Sequence, residues 1–385
     1  MLPEKNIEYR IFKSDQMVAR KETKEFFALP SDKKKNIFIV EGDRGAGKTY
    51  FLLDLYRHYL QDKTKRAFFI GLFHYKAPEF SKNPNIWLQE NRKFEISDIP
   101  NLLRKIVAYL GIDFIDTLDP ENQREYLAKK LAQRTSGDRP VVLFDSIYEC
   151  GEPIRKQIER DILIPLLASN QVTVILSGRG KRPIWTSPEF RNAEYIKLQP
   201  PGKQFVHAQL EKMKSKHVGE FEKITEWSGG CPLVVRILGK AEIISLESLN
   251  KAIDVLIKES LLVEIKDYVE TREAMQKLAL FKAPFRDLDV VHYLFLENPE
   301  GRSRTKKLVN FLLDNYLLEW DDTGERRGYM MNKTIAHPLH AWLTGYPEKL
   351  KQYYKEWEMA VEALINAYPS VKREQYITMM SYNNK

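Results

Sequence analysis

The chain of 385 residues has only two cysteines, Cys150 and Cys231. They lie far apart and in no metal-ligand spacing, which excludes a disulfide framework or a cysteine-built zinc site and points to a reducing compartment with free thiols. Long apolar runs are also lacking: nowhere do about eighteen apolar residues follow one another, so no stretch suits a membrane-crossing helix. The amino-terminal MLPEKNIEYRIFK is charged from its fourth residue and has no apolar core of the signal-peptide kind. There is no fixed-period repeat and no low-complexity tract, which excludes solenoids and biased linkers. What remains is a soluble, cytoplasmic, globular chain with no membrane partner, long enough for two or three domains and with 43% hydrophobic residues to fill them. The net charge of +8 favours polyanions, but a phosphate site needs cations of its own, so charge alone does not choose a partner.

Against these absences stands one dense motif. Gly42-Asp43-Arg44-Gly45-Ala46-Gly47-Lys48-Thr49 follows the apolar run Ile37-Phe38-Ile39-Val40 and precedes the helix-like Tyr50-Phe51-Leu52-Leu53-Asp54-Leu55-Tyr56. A strand feeding a glycine loop that opens a helix is the context in which G-x-x-x-x-G-K-[ST] binds phosphates. Loop and helix-start N–H groups present unsatisfied donors and partial positive charge, and the glycines let phosphate oxygens approach the backbone. Lys48 is expected to reach the β- and γ-phosphates and Thr49 to ligate Mg²⁺, with Tyr50 closing the set of cradle residues.

The flanking pattern alternates. Arg66-Ala67-Phe68-Phe69-Ile70-Gly71-Leu72 reads as a buried strand, and the spacing of Leu102, Leu103, Ile106, Val107 and Leu110, then of Tyr126, Leu127 and Leu131, is helical. Such alternation predicts a five-stranded parallel sheet with helices on both faces. Arg139-Pro140-Val141-Val142-Leu143-Phe144-Asp145 is an apolar strand ending in a carboxylate, which at the sheet's C-terminal edge lies where Mg²⁺ is held. No acid follows at Ser146, but Glu149 does. It is read either as the catalytic base or as an acid favoured by a helix start. Val172-Thr173-Val174-Ile175-Leu176 runs into Ser177-Gly178-Arg179, where Arg179 is the candidate γ-phosphate contact, with Arg182 or a plain exposed loop arginine as alternatives. Glu194-Tyr195-Ile196-Lys197-Leu198 closes at Gln199-Pro200-Pro201-Gly202, a domain edge. The run Lys33-Lys34-Lys35 reads as a solvated turn.

Beyond that edge the pattern is helical. Phe221 to Trp227 leads to Ser228-Gly229-Gly230-Cys231-Pro232-Leu233-Val234-Val235-Arg236-Ile237-Leu238-Gly239, a tight turn with proline near a helix start. The order of phosphate loop, VVLFD, SGR and GGCPLVVRILG resembles the STAND class of signal-transduction NTPases, related to AAA+ ATPases and including NB-ARC and NACHT switches. The resemblance implies that Pro232 of the Gly-x-Pro turn touches adenine and that Arg20, in Val18-Ala19-Arg20-Lys21-Glu22, belongs to the segment wrapping the base. It also implies that His337, in Ile335-Ala336-His337-Pro338-Leu339, contacts the β-phosphate of ADP; a packed histidine is the competing reading. NB-ARC members carry two adjacent acids where this chain has Asp145-Ser146, whereas NACHT-like members have a small residue there and acids further on. Helical patterns at Leu278–Phe285, Val290–Leu294 and Leu308–Leu313, then Tyr316–Trp320 and Gly328–Met331 around a polar turn, match a winged helix.

The expected architecture is therefore an α/β P-loop NTPase domain (1–200), an all-α lid (201–268), a winged-helix domain (269–346) and C-terminal helices (347–385). The expected function is an ATP/ADP switch, a slow Mg²⁺-dependent ATPase whose nucleotide state controls self-assembly or a protein partner in signalling or defence. Adenine is favoured over guanine by the resemblance and by the absence of an N-K-x-D reader. About forty residues precede the loop and no repeat array follows, so the chain is either a fragment or leaves sensing and output to another polypeptide. The rival reading is an ATP-regulated DNA-binding protein, resting on Arg302, Arg304, Lys306, Lys307, Arg326 and Arg327; a small-molecule kinase is the third.

Overall fold

The computed structural model describes residues 18, 20–28, 35–42, 46–61, 66–75, 85–90, 94–115, 118–133, 139–178, 185–198, 201–260, 268–280, 301–315, 317–321 and 328–367. The chain divides into two compact units, with the change-over between Gln199 and Pro200.

The first unit is built on a parallel sheet of β1 (Ile37–Glu41), β2 (Ala67–Tyr75), β3 (Ile86–Glu90), β4 (Val141–Asp145), β5 (Thr173–Ser177) and β6 (Glu194–Lys197). They lie in the order β3-β2-β4-β5-β1-β6. The sheet thus has six strands, not the five read from the sequence. The added strand, β3, lies at the edge and pairs only with β2. Its apolar stretch is only Ile86-Trp87-Leu88, partly buried and followed by Gln89 and Glu90, too short a run to read as a buried strand.

Side-chain parity along the strands gives the unit two cores. Ile37, Ile39, Phe68, Ile70, Val142, Phe144, Val174 and Leu176 share one cluster with α3 (Ile99–Leu110), α4 (Pro120–Ala132), α5 (Glu152–Ile158) and α6 (Ile164–Ala168). Phe38, Val40, Phe69, Val141, Leu143 and Ile175 form the other with α1 (Lys21–Ala28) and α2 (Lys48–Gln61). The apolar spacing read between Ile99 and Leu131 is two helices. Pro120 opens the second, and the Asp119 side chain accepts from the N–H groups of Glu121 and Asn122. Phe144 is fully buried, and its truncation to alanine would cost about 3–5 kcal/mol.

The second unit is mainly helical: α7 (Lys203–Lys212), α8 (Phe221–Ser228), α9 (Pro232–Lys240), α10 (Leu246–Ser260), α11 (Tyr268–Leu278), α12 (Gly301–Asp314), α13 (Lys333–Thr344) and α14 (Pro347–Ala367). Between α12 and α13 lies the antiparallel pair β7 (Leu318–Asp321) and β8 (Gly328–Met331), in the register Leu318↔Met331. One core runs through all of these elements, from Val206 and Ile224 through Met275, Leu312 and Met331 to Leu339 and Trp357. The helical pattern read at Val290–Leu294 lies outside the described residues. An ionic lock docks the last helix: Lys277 of α11 sits 2.7 Å from Glu356 and 3.1 Å from Glu273. Trp357 Nε1 donates to the Lys277 carbonyl at 2.8 Å. Among the described residues no helix is long and apolar enough to cross a membrane.

Candidate functional site

The site is set by where β1 stops. Its last residue, Glu41, hands over to Gly42, and α2 starts at Lys48, so loop and helix N-terminus meet at the carboxyl edge of the sheet. Lys48 is buried, and its Nζ donates to the Gly42 carbonyl at 2.7 Å, closing the loop on itself. The first N–H groups of a helix have no acceptors within it, and a helix N-terminus following a glycine loop is an arrangement that attracts anions. Ala46 is buried and Tyr50 partly buried, while Asp43, Arg44 and Gly45 lie outside the described residues.

Asp145 enters from another strand. Because β4, β5 and β1 are parallel and adjacent in that order, their C-terminal ends share one edge. There Thr49 Oγ1 donates to Asp145 Oδ2 at 2.7 Å across 96 residues of sequence. Ser177 Oγ, at the end of β5, donates to Asp145 Oδ1. Asp145 and Ser177 are 2% and 0% exposed, so the carboxylate is fixed in the dry end of the sheet by two hydroxyl donors.

This donor set suits a hard cation. A carboxylate and a hydroxyl are the oxygen ligands Mg²⁺ uses when phosphates and water complete its shell. No group of three or more His, Cys, Asp or Glu able to hold a metal occurs among the described residues.

The chain leaves Asp145 through a strained turn. Ser146 has φ 63° and ψ 30°, a left-handed conformation that costs a non-glycine residue roughly 1–2 kcal/mol. It turns Ile147–Cys150 into a single 3₁₀ turn in which the Glu149 N–H donates to the Ser146 carbonyl at 3.3 Å. Glu149 is thus in a 3₁₀ turn that precedes α5 rather than at an α-helix start, partly buried and beside the Cys150 thiol. Burial first, and the Glu149 charge second, push that thiol far above the ordinary cysteine range. Arg179 and Arg182 lie outside the described residues.

The remaining predicted contacts are held locally. Arg20 is buried, with its guanidinium forked on Glu22 at 3.1 and 3.2 Å. In the second unit Pro232 opens α9, and its carbonyl accepts from Gln209 Nε2 at 2.8 Å. His337 is exposed in α13 with a ring nitrogen against the Glu226 carbonyl. Its ring lies over Gly229, where an added Cβ would meet it at 2.8 Å. The fold therefore brings His337 to the glycine turn that precedes Pro232.

Sequence reasoning missed two polar groups. In the sequence Ser177 stands only as part of a strand-end tripeptide; the signal it offers is a hydroxyl on the last residue of an apolar strand. Gln209 gave no local signal, since it holds the turn from a separate helix.

No protein-family model and no curated protein sequence matches the chain. Among solved structures it is similar to Cdc6p from Pyrobaculum aerophilum, with 15% identity and a TM-score of 0.36 over 81% of this chain and 87% of that one. It is also similar to Drosophila ORC bound to DNA, with 12% identity and a TM-score of 0.32 over 75% and 83%. AMPPCP-bound DnaA from Aquifex aeolicus aligns with 11% identity and a TM-score of 0.34 over 91% and 92%. At these scores the likeness carries no function across.

Proposed function

We propose that the chain is an adenine-nucleotide switch of the P-loop class, a slow Mg²⁺-dependent ATPase in which bound nucleotide governs the second unit. The observation that carries this reading is the Thr49–Asp145 hydrogen bond of 2.7 Å, which joins the first turn after the glycine loop to the acid at the end of β4. Two distant stretches of sequence meet where a phosphate-bound cation would be held.

The roles follow from chemistry. Gly42 to Gly47 offer backbone N–H groups to phosphate oxygens, and Lys48 exchanges the Gly42 carbonyl for the β- and γ-phosphates. Thr49 and Asp145 would hold Mg²⁺, which when bound would neutralise phosphate charge. Ser177 keeps Asp145 in place. Glu149 is the base that orients water, at the end of a turn anchored on Ser146, and Arg179 is the γ-phosphate contact. Arg20, Tyr50, Pro232 and His337 complete the adenine and ADP contacts.

Switching requires nucleotide to bind two shapes of the protein with different affinity, since equal affinity shifts nothing. Support comes from His337 packing on the turn before Pro232, which ties two proposed sensor residues to one another. We assign 201–268 to a lid, 269–346 to a winged helix and 347–385 to an extension, with output through self-assembly or a protein partner. The test is to identify the nucleotide carried by the purified protein and to weigh the particle with ADP and with a non-hydrolysable ATP analogue. Adenine nucleotide and a mass that depends on the phosphate number are expected; guanine nucleotide, or none with a constant mass, would refute the proposal.

A second reading, nucleotide-regulated DNA binding, has one observation in its favour: Lys306 and Lys307 are exposed on α12, directly before the β7–β8 ribbon. Duplex affinity falling steeply with salt would establish it.

A further inference from the structure

The turn after Asp145 is held against the end of β5 by a contact that neither chemistry nor strand pairing requires. A Cβ added to Gly178 would lie 2.4 and 2.5 Å from Tyr148 Cγ and Cδ2 and 2.7 Å from its Cβ. Only glycine therefore lets the Tyr148 ring lie on the backbone next to Ser177. The same ring meets Trp185 edge-on, with centroids 6.4 Å apart.

Trp185 is itself fixed. It stacks on Phe190 at 4.4 Å and 8°, and the Arg155 guanidinium lies 5.8 Å from its ring centroid. The residues that follow it are clamped by a buried acid: Glu159 is 1% exposed. Its Oε1 accepts from Thr186 N at 2.7 Å, Thr186 Oγ1 at 2.9 Å and Ser187 N at 2.8 Å. Glu159 begins a π-helical turn, Glu159–Leu163, between α5 and α6, a distortion frequent at functional sites.

We infer that Tyr148 is a positioning residue for the cation-binding oxygens of Asp145, with Trp185 and the Glu159 clamp as its backstop. The strained Ser146 would relax if the turn were free to move. The ring, packed on Gly178 and against Trp185, prevents this and keeps the end of β4 in register with Ser177, whose hydroxyl fixes the carboxylate. This inference rests on the nucleotide reading of the site and adds to it the group that sets its geometry.

The experiment titrates ATP calorimetrically into the full chain, once with Mg²⁺ and once with EDTA. The chains compared are wild type, Gly178→Ala, Tyr148→Leu and Tyr148→Phe, each checked for native circular dichroism. Mg²⁺ should tighten ATP binding to wild type and to Tyr148→Phe by about tenfold or more, about 1.4 kcal/mol. Gly178→Ala and Tyr148→Leu should lose most of that gain while keeping their EDTA affinity within about twofold, because phosphate-loop contacts are untouched. If Gly178→Ala does not fold, Tyr148→Leu decides. A folded Gly178→Ala or Tyr148→Leu chain with the full Mg²⁺ gain overturns the inference alone. Equal weakening with and without Mg²⁺ also overturns it, since that marks general damage. Failure of wild type to bind ATP removes both the inference and the function it rests on.

Discussion

Replacing Ser177 by alanine separates the part of the site that holds the fold from the part that meets the ligand. Ser177 is 0% exposed and its hydroxyl donates a hydrogen bond to Asp145, which is 2% exposed. Water cannot replace the lost donor, so the substitution removes a charge-assisted bond from a buried carboxylate, at a cost of about 1.5–3 kcal/mol. For a unit of this size about 2 kcal/mol lowers the thermal midpoint by roughly 4–8 °C. Thr49→Ala removes a similar bond to the other oxygen, but Thr49 is only partly buried and water can take its place. It should cost about 1 kcal/mol of stability or less, and lose about tenfold or more in Mg²⁺–ATP affinity. The assay is thermal unfolding without ligand, paired with ATP titration in Mg²⁺. Ser177→Ala should show the larger fall in midpoint and Thr49→Ala the larger loss specific to Mg²⁺. The reverse order, or no change in stability from Ser177→Ala, would refute the assignment of Asp145 as a carboxylate locked by buried hydroxyls.

Three further outcomes are expected. Both cysteines are buried, so a thiol reagent at pH 8 should label neither Cys150 nor Cys231 in the native chain, and both in guanidinium. Gly230 has φ +78° and its added Cβ would lie 2.0 Å from the Pro201 carbonyl oxygen. Gly230→Ala should therefore destabilise the second unit by at least about 1–2 kcal/mol, measured as a lower urea midpoint. For Lys277, burial lowers the pKa, but the bonds and charges of Glu356 and Glu273 outweigh it and leave the folded value raised. Its contribution is fully present below the unfolded lysine value near about 10.4 and is lost as pH rises through the folded value. Lys277→Met should cost about 1–2 kcal/mol at pH 7, a difference that shrinks in titrations carried above about pH 10.5.

The parts of this fold that were legible in the sequence share one physical property: their signal is local. The run Ile37-Phe38-Ile39-Val40 is buried on both faces and so reads as continuous apolar sequence, and the loop that follows is marked by its own glycines, Lys48 and Thr49. Asp145 was legible because a charge at the end of VVLFD breaks an apolar strand. β3 was not, because its apolar stretch is only Ile86-Trp87-Leu88, partly buried at the sheet edge and followed by the polar Gln89 and Glu90. The partnership of Ser177 with Asp145, the Gln209 bond to the Pro232 carbonyl and the fit of Tyr148 on Gly178 depend on chain segments brought together by the sheet or by helix packing. No spacing rule connects residues that meet only after folding. Likewise His337 was legible as a candidate through the order of motifs around it, but its bond to the Glu226 carbonyl crosses 111 residues.

The central claim is that a nucleotide phosphate is held at Lys48. Its most direct test is an equilibrium titration of ATP with Mg²⁺ into wild type and into Lys48→Ala, both confirmed as folded by circular dichroism. Saturable binding of one nucleotide per wild-type chain is expected, with a loss of about a hundredfold or more, about 2.7 kcal/mol, in the variant. Tight ATP binding retained by a folded Lys48→Ala chain would contradict it.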